Sequence, residues 1–305
     1  MSQPNREVHP ILSILIDTAT DEEREKLTQE FEVLVQQDPT VRVEVGSFGG
    51  QLVISGEDEV ELETISNKIL VALRAEIGEL RINFRETVRK SAEAEGRYIR
   101  QIGGLGNYGY CKLRIEPYGG GSRYQFIDDI KSGVVPKEYI KAIDQGVQEA
   151  MESGILQGCP MIDLKVTVFD GSYHEVDSNE MAFRIAGSIA FKEAAKRASP
   201  VLLEPMMAVK VTVPEEFAKA IIGDINSRRG RIDGMERSAG TQTICATIPL
   251  AEGLRSSVHG RPQYPMRFAG YEVASPRDGD DAAAYAIKPR SPRRGDGSAA
   301  AEREP

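Results

Sequence analysis

At 305 residues, with 40% hydrophobic and 28% charged side chains and a formal net charge of −9, the chain has an ordinary soluble composition and room for two or three cores. Three well-separated cysteines without CxxC spacing exclude a disulfide framework or a zinc site, and three scattered histidines suggest no metal cluster. Residues 1–8 lack the apolar core of a signal peptide and no apolar run could span a bilayer, so the expectation is a cytoplasmic protein without a membrane partner.

The negative charge is unevenly placed. Residues 8–84 carry 6 basic and 16 acidic side chains, residues 85–204 carry 16 and 17, and residues 205–275 carry 9 and 7. All the excess acidity lies in the first segment. The two later segments are near neutral and able to present local basic faces to RNA.

In chain order, residues 1–7 read as a disordered N-terminus. Ile11–Ile16 is a continuous apolar strand, and Asp21–Gln37 places Leu27, Phe31, Leu34 and Val35 on one helical face. Val41, Val43 and Val45 alternate, Phe48–Gln51 reads as a hairpin turn into Leu52–Ser55, and a second helix turns Leu62, Ile65, Ile69 and Leu73 inward. A strand with Leu80, Ile82 and Phe84 closes a β-α-β-β-α-β order over residues 8–84, the ferredoxin-like unit.

Residues 85–204 follow another plan. A glycine-framed loop, Gly103–Gly109, leads into a strand with Leu113 and Ile115, which Pro117 ends. Pro136 opens a helix whose Ile140, Ile143, Val147 and Met151 share a face. Met161–Phe169 alternates as a strand, and Phe169–Ser178 (FDGSYHEVDS) reads as a strand-to-helix loop. Asp170-Gly171 supplies a tight turn, and Asp177 with Glu180 a capping box. Such a loop is expected to hold Tyr173 and His174 at an exposed tip, beside Gly106, Asn107 and Tyr108 of the first loop. The helix from about Asn179 to Ala198 ends in Lys192, Lys196 and Arg197, cations that suit either the helix dipole or a phosphate backbone.

The β-α-β-β-α-β order returns over residues 205–275. Met207, Val209, Val211 and Val213 alternate, Pro214 opens a helix with Phe217, Ile221 and Ile225 on one face, and a hairpin turns near Ala239-Gly240. Ile244, Ala246 and Ile248 follow, the second helix around Ala251–Val258 is weak, and Tyr264, Met266 and Phe268 mark the last strand. Residues 276–305 are rich in Pro, Gly, Ala and Asp without periodicity and are expected to be disordered. The fold class is therefore α+β, two ferredoxin-like domains flanking a mixed α/β middle domain.

Gly104–Gly109 fits GxGxxG, but a strand ending at Pro117 follows where a dinucleotide site needs a helix. No GxxxxGK[ST] loop occurs, and no Ser/His/Asp pattern stands out. Neither a cofactor nor a catalytic residue is expected.

Four stretches carry a family resemblance: RYIRQIGGLGNYGYCKLRIEP, YQFIDDIKSGVVPKEYIKAIDQGVQEAMESG, FDGSYHEVDSNEMAFRIAGSIAFKEAAKRASPVLLEPMMAVKV and IIGDINSRRGRIDGM. They resemble the C-terminal half of bacterial translation elongation factor G, in order from about Val8 to Val273. The resemblance implies that residues 8–84, 85–204 and 205–275 correspond to that family's third, fourth and fifth domains. It implies an elongated, tRNA-mimicking arm that enters the decoding site, with the ribosome, ribosomal RNA and the tRNA and mRNA there as partners. Gly106, Asn107, Tyr108, Ser172, Tyr173 and His174 would be the RNA-contacting tip. Lys192, Lys196, Arg197, Arg228, Arg229 and Arg231 would meet phosphates.

The family's GTPase and second domains have no counterpart here, so GTP would enter only through a partner or a missing domain. Leu105 and Asn107 stand where the family usually has arginine and glutamine, and Ser55–Leu62 replaces a stretch that faces the GTPase switch regions. The leading expectation is a non-enzymatic ribosome binder. Half of a split translocation GTPase completed in trans, or a fragment of a longer factor, is the alternative. A small-ligand sensor built on the ferredoxin-like folds would explain neither tip loop.

Overall fold

The computed structural model describes residues 82–102, 105–119, 123–131, 134–238, 240–252 and 264–275 nearly continuously. Elsewhere it describes 10–17, 20, 22, 25–29, 31, 41–45, 52–57, 62, 64, 65, 76–81, 286 and 287. The chain divides into two compact units, residues 1–81 with 286–305, and residues 82–285.

In the first unit, the strands β1 (Leu12–Asp17), β2 (Arg42–Val45), β3 (Leu52–Gly56) and β4 (Glu76–Ile82) lie in the order β4-β1-β3-β2. That order is what two split βαβ crossovers produce. Ile14 faces Ile54, and Ile54 faces Val43 across the next ladder. Ile11, Leu12, Ile14, Ile16, Leu52 and Ile54 are all buried, as the unbroken apolar run demands. Residues 25–29 and 31 are helical and bury Leu27 and Phe31; Leu62 and Ile65, also helical, are buried too. Leu34, Val35, Ile69, Leu73 and the turn at 48–51 lie outside the described residues. One correction falls on the tail. Within the span expected to be disordered, Ala286–Ile287 forms a short strand that pairs with Arg81 and Leu80 at the edge of β4, because an open sheet edge offers unpaired backbone donors and acceptors.

The second unit holds two sheets. In the first, β6 (Ala92–Ile102), β7 (Leu105–Pro117), β9 (Leu164–Ser172) and β8 (Tyr124–Asp128) lie in the order β6-β7-β9-β8, with only β8 and β9 parallel. Helices α1 (Lys137–Glu152) and α2 (Glu180–Arg197) cover one face. Helix α1 buries Ile140, Ile143, Val147 and Met151, the stripe its spacing predicts. Helix α2 packs against β6, β7 and α1 and buries mostly small residues: Ala182, Ala186, Gly187, Ala190, Ala194 and Ala195, with Phe183 and Phe191 among them.

Four glycines set how closely these layers approach. A Cβ on Gly96 of β6 would meet the backbone of Ala186 and Ala190, and one on Gly109 of β7 the backbone of Ala182 and Phe183. At the helix crossing, Gly146 abuts the Arg184 carbonyl and Gly187 the Ile143 backbone. The opposite face of the sheet is open and laced by ion pairs: Lys112–Asp170 at 2.9 Å, Arg114–Glu93 at 2.7 Å and Lys165–Glu116 at 2.8 Å.

In the second sheet, β10 (Pro200–Pro214), β11 (Arg231–Ser238), β12 (Thr241–Pro249) and β13 (Met266–Val273) run β11-β12-β10-β13, with helix α3 (Glu215–Ser227) after β10. This repeats the ferredoxin-like strand order. The boundary expected at residue 204 needs correction, because β10 crosses it unbroken. Its first residues, Pro200–Leu203, pair with β5 (Arg85–Val88), so residues 85–88 join this sheet. Phe217 is a second correction. It is 54% exposed, whereas Ala218 and Ile225 are the buried positions of α3.

Glu86 of β5 ties the two parts together. Its side chain is fully buried, and its carboxylate accepts four backbone N–H bonds from the loop after α1: Ile155 at 2.6 Å, Leu156 at 2.9 Å, Gln157 at 2.8 Å and Cys159 at 3.1 Å. Four donors on one carboxylate offset its desolvation without a cation.

Candidate nucleic-acid interface

The tip is built from the ends of β7 and β9 and the start of α2. Two loop expectations change here. Residues Gly106–Gly109 are not a loop but strand, with Gln101, Arg100, Ile99 and Tyr98 opposite them on β6. Gly109 there allows α2 to approach, and Gly106 sits against the Asp177 carboxylate. On β9, Asp170-Gly171 is also strand. The register skips between Lys112 and Leu113, leaving Phe169 as the extra residue of a bulge, so the strand runs on to Ser172. The helix cap is Asn179 rather than Asp177: its Oδ1 accepts from Ala182 N–H at 2.9 Å.

What remains as loop is residues 173–178, and it is fastened to β7. Tyr108 N–H donates to the Asp177 carbonyl at 2.7 Å, and Ser178 Oγ donates to the Tyr108 carbonyl at 3.0 Å. Tyr108 Oη and Ser172 Oγ share a hydrogen bond of 2.7 Å, and Asn179 Nδ2 donates to Asn107 Oδ1 at 2.7 Å. His174 Nδ1 lies 3.5 Å from Asp177 Oδ2, and its ring is tilted 55° to that of Tyr108 with centroids 6.4 Å apart. Tyr173 and His174 stay exposed, and Val176 beside them is 78% exposed. The tip thus presents an aromatic ring, an imidazole and a methyl cluster on a fixed backbone. Such groups can stack on bases and read their edges. Glu175, Asp177 and Glu180 surround them, so phosphate attraction is not what this end offers. Arg100, exposed and in register with Asn107, is the nearby cation that sequence reasoning passed over; the strand pairing of β6 with β7 is what reveals it.

The six cations expected to meet phosphates do not form one site. Lys192, Lys196 and Arg197 lie toward the far end of α2, about 18 to 25 Å along the helix from its start at the tip, at 1.5 Å per residue. Lys196 pairs with Glu193 at 2.9 Å and Arg197 donates to the Glu93 carbonyl at 3.4 Å, while Lys192 is half-buried. Arg231 is exposed beside Asp233 at 3.1 Å and Glu272 at 3.3 Å.

Arg228 is a correction. It is 1% exposed, held by Asp224 at 2.5 Å and lying 4.8 Å over the Tyr264 ring, so no phosphate can reach it. Arg229 is committed as well. Its backbone is left-handed at φ 58, which turns the guanidinium into a two-pronged contact with the buried Glu204, both bonds 3.0 Å. Nearby, burial pushes the Tyr264 hydroxyl up to about 12, helped by its 2.7 Å bond to Asp224.

Among the described residues no cluster of His, Cys, Asp or Glu could hold a metal ion, and no helix is long and apolar enough to cross a membrane. Burial pushes the Cys111 thiol up to about 12 and the Cys159 thiol to about 11, so neither is a poised nucleophile.

Three family models match the chain in succession: Elongation Factor G, domain III over residues 8–78, Elongation factor G, domain IV over 80–199, and Elongation factor G C-terminus over 201–281. A crystal structure of a protein from Thermus thermophilus is similar at 34% identity and a TM-score of 0.67, over 90% of this chain and 42% of that one. The chain therefore spans less than half the length of that relative. With strand order, tip and three successive matches in agreement, the chain belongs to the elongation factor G family, of which it holds domain III, domain IV and the C-terminal domain.

Proposed function

We propose that this chain is a cytoplasmic ribosome-binding protein that enters the decoding site with its domain IV arm leading and hydrolyses no GTP itself. The observation that carries this reading is the tip. A loop with exposed Tyr173 and His174 is fastened to a neighbouring strand by four hydrogen bonds, while the described residues around it assemble no catalytic apparatus. A rigid, exposed, polar-aromatic end suits recognition of ribosomal RNA, or of the tRNA and mRNA held there, through base edges and stacking. Phosphate contacts would come from elsewhere on the chain, from Lys192, Lys196, Arg197 and Arg231. Arg228 and Arg229 serve the C-terminal domain's own core. No cofactor takes part.

The test is co-sedimentation with purified ribosomes across a salt series, paired with a cell-free translation readout. Binding should weaken steeply between about 50 and 200 mM salt, on the order of tenfold or more for a few phosphate contacts. His174→Ala should cost about 1–2 kcal/mol of affinity at most, the scale of one or two hydrogen bonds, while changing the translation readout clearly. Absence of salt-sensitive binding by the wild-type chain refutes the proposal.

A second reading rests on the 42% coverage of the solved relative. On it, the chain supplies half of a translocation GTPase and a separate GTPase chain completes it. Recovery of a GTPase at equal stoichiometry in a pull-down from native lysate would favour that reading over the first.

A further inference from the structure

We propose that Ser178 is the positioning residue of the tip, the single side chain that fixes the backbone of His174 and thereby aims its imidazole. Each of its polar groups is in use. Its N–H donates to the His174 carbonyl at 3.0 Å, and its Oγ accepts from the His174 N–H at 2.8 Å, so both backbone groups of His174 end on one residue. The same Oγ donates to the Tyr108 carbonyl at 3.0 Å, and the Ser178 carbonyl accepts from Tyr139 Oη of α1 at 3.2 Å. Tyr139 in turn stacks on Phe183 of α2, with centroids 4.6 Å apart and planes 11° from parallel. Ser178 therefore connects the tip loop to β7 and to both helices.

The His174 side chain is 59% exposed and lies 3.5 Å from Asp177, so side-chain packing alone does not hold it. Its direction follows from its backbone. The hydroxyl of Ser178 both accepts and donates, and such chained bonds polarise one another. A serine here serves a need that alanine cannot meet. Threonine keeps the hydroxyl, and cysteine keeps the shape while weakening both bonds.

Only the place where the tip docks rests on the proposed function. The arrangement in the free chain does not. The first measurement is amide hydrogen exchange at His174 by NMR on the free, full-length protein, with the imidazole resonances of His174 recorded alongside. Ser178→Ala should speed His174 amide exchange about tenfold, the equilibrium equivalent of one lost hydrogen bond, and shift the imidazole signals. Ser178→Thr should restore both, and Ser178→Cys should fall between. Tyr139→Phe, which leaves the Oγ bonds intact, should leave the His174 amide protected. Unchanged exchange in both Ser178→Ala and Ser178→Cys would overturn the proposal.

The second measurement is the translation readout. Ser178→Ala should reproduce the His174→Ala defect, Ser178→Thr should relieve it, and the double variant should be no worse than either single one. Multiplicative defects in the double variant would also overturn the assignment. If His174→Ala leaves both ribosome affinity and the readout unchanged, the functional reading fails, while the exchange data still decide the role of Ser178.

Discussion

Arg228 shows how much a single residue's surroundings decide. In the sequence it is one of three basic residues at a helix end, and such a run looks solvent-facing. In the fold it is almost fully buried, with Asp224 and Tyr264 around its guanidinium. Tyr264 donates to the same carboxylate, and its hydroxyl is held protonated to about 12. A folded-state value raised above the ordinary tyrosine value of about 10 gives stability that is complete below about pH 10 and lost as pH rises toward 12. Melting curves recorded from about pH 8 to 12 should show that alkaline loss in the wild type, and Tyr264→Phe should flatten it at some cost in stability at neutral pH. An identical alkaline slope in both proteins would disprove the linkage. Among the tip residues, Tyr173 and His174 are exposed where the glycine- and turn-rich stretch predicts. Asn179 as the cap and Arg100 as the neighbouring cation were not legible, because each depends on which strand ends beside which helix.

At the scale of elements, the periodic segments were the readable ones. The stripe Ile140–Met151 and the alternation of Leu164, Val166 and Val168 report a buried face directly, since side-chain period and burial have the same cause. Helix α2 is legible in its extent, about Asn179–Ala198 against Glu180–Arg197, but a buried stripe made mostly of alanines and glycines is too weakly apolar to mark its face. Gly109 of β7 misled for a related reason. It permits a helix to approach, and a chain read alone takes it for part of a turn.

This separates two substitutions that look alike. Gly109→Ala places a methyl against the Ala182 and Phe183 backbone, which cannot yield, and should cost about 1–3 kcal/mol, seen as a melting temperature lower by several degrees. Gly106→Ala meets first the Asp177 carboxylate, a movable group. It should leave the melting temperature nearly unchanged while moving Asp177 off His174, which the imidazole resonances of His174 would report. Equal melting temperatures for the two variants would show that the layers are looser than the geometry indicates.

For the molecule as a whole, the two ferredoxin-like strand orders follow from alternation and turn residues, and both were legible. The domain boundary at residue 204 was not. An apolar run such as Pro200–Pro214 carries no mark of where it changes neighbours from β5 to β12 and β13. The 305 residues also contain no GxxxxGK[ST] motif. Calorimetry on the purified chain should therefore detect no GTP binding in the micromolar range, with or without Mg²⁺. A measured micromolar affinity would point to a nucleotide site of another kind.

The Glu86 carboxylate has a consequence for which positions tolerate change. Everything it grips in the loop after α1 is backbone, so the grip is indifferent to most of the side chains there. Leu156 and Gln157 are exposed, and their N–H groups would serve equally well under almost any residue except proline, which has none. Gly154 and Gly158 adopt positive φ and stay restricted, and Glu86 itself has no substitute that offers two acceptor oxygens at the same reach. A saturation library scored for folding should show a permissive position at 156, flanked by intolerant glycines at 154 and 158, answering to one intolerant glutamate about 70 residues earlier in the chain. Position 156 is where a label or a tag can be attached to follow the arm without disturbing it.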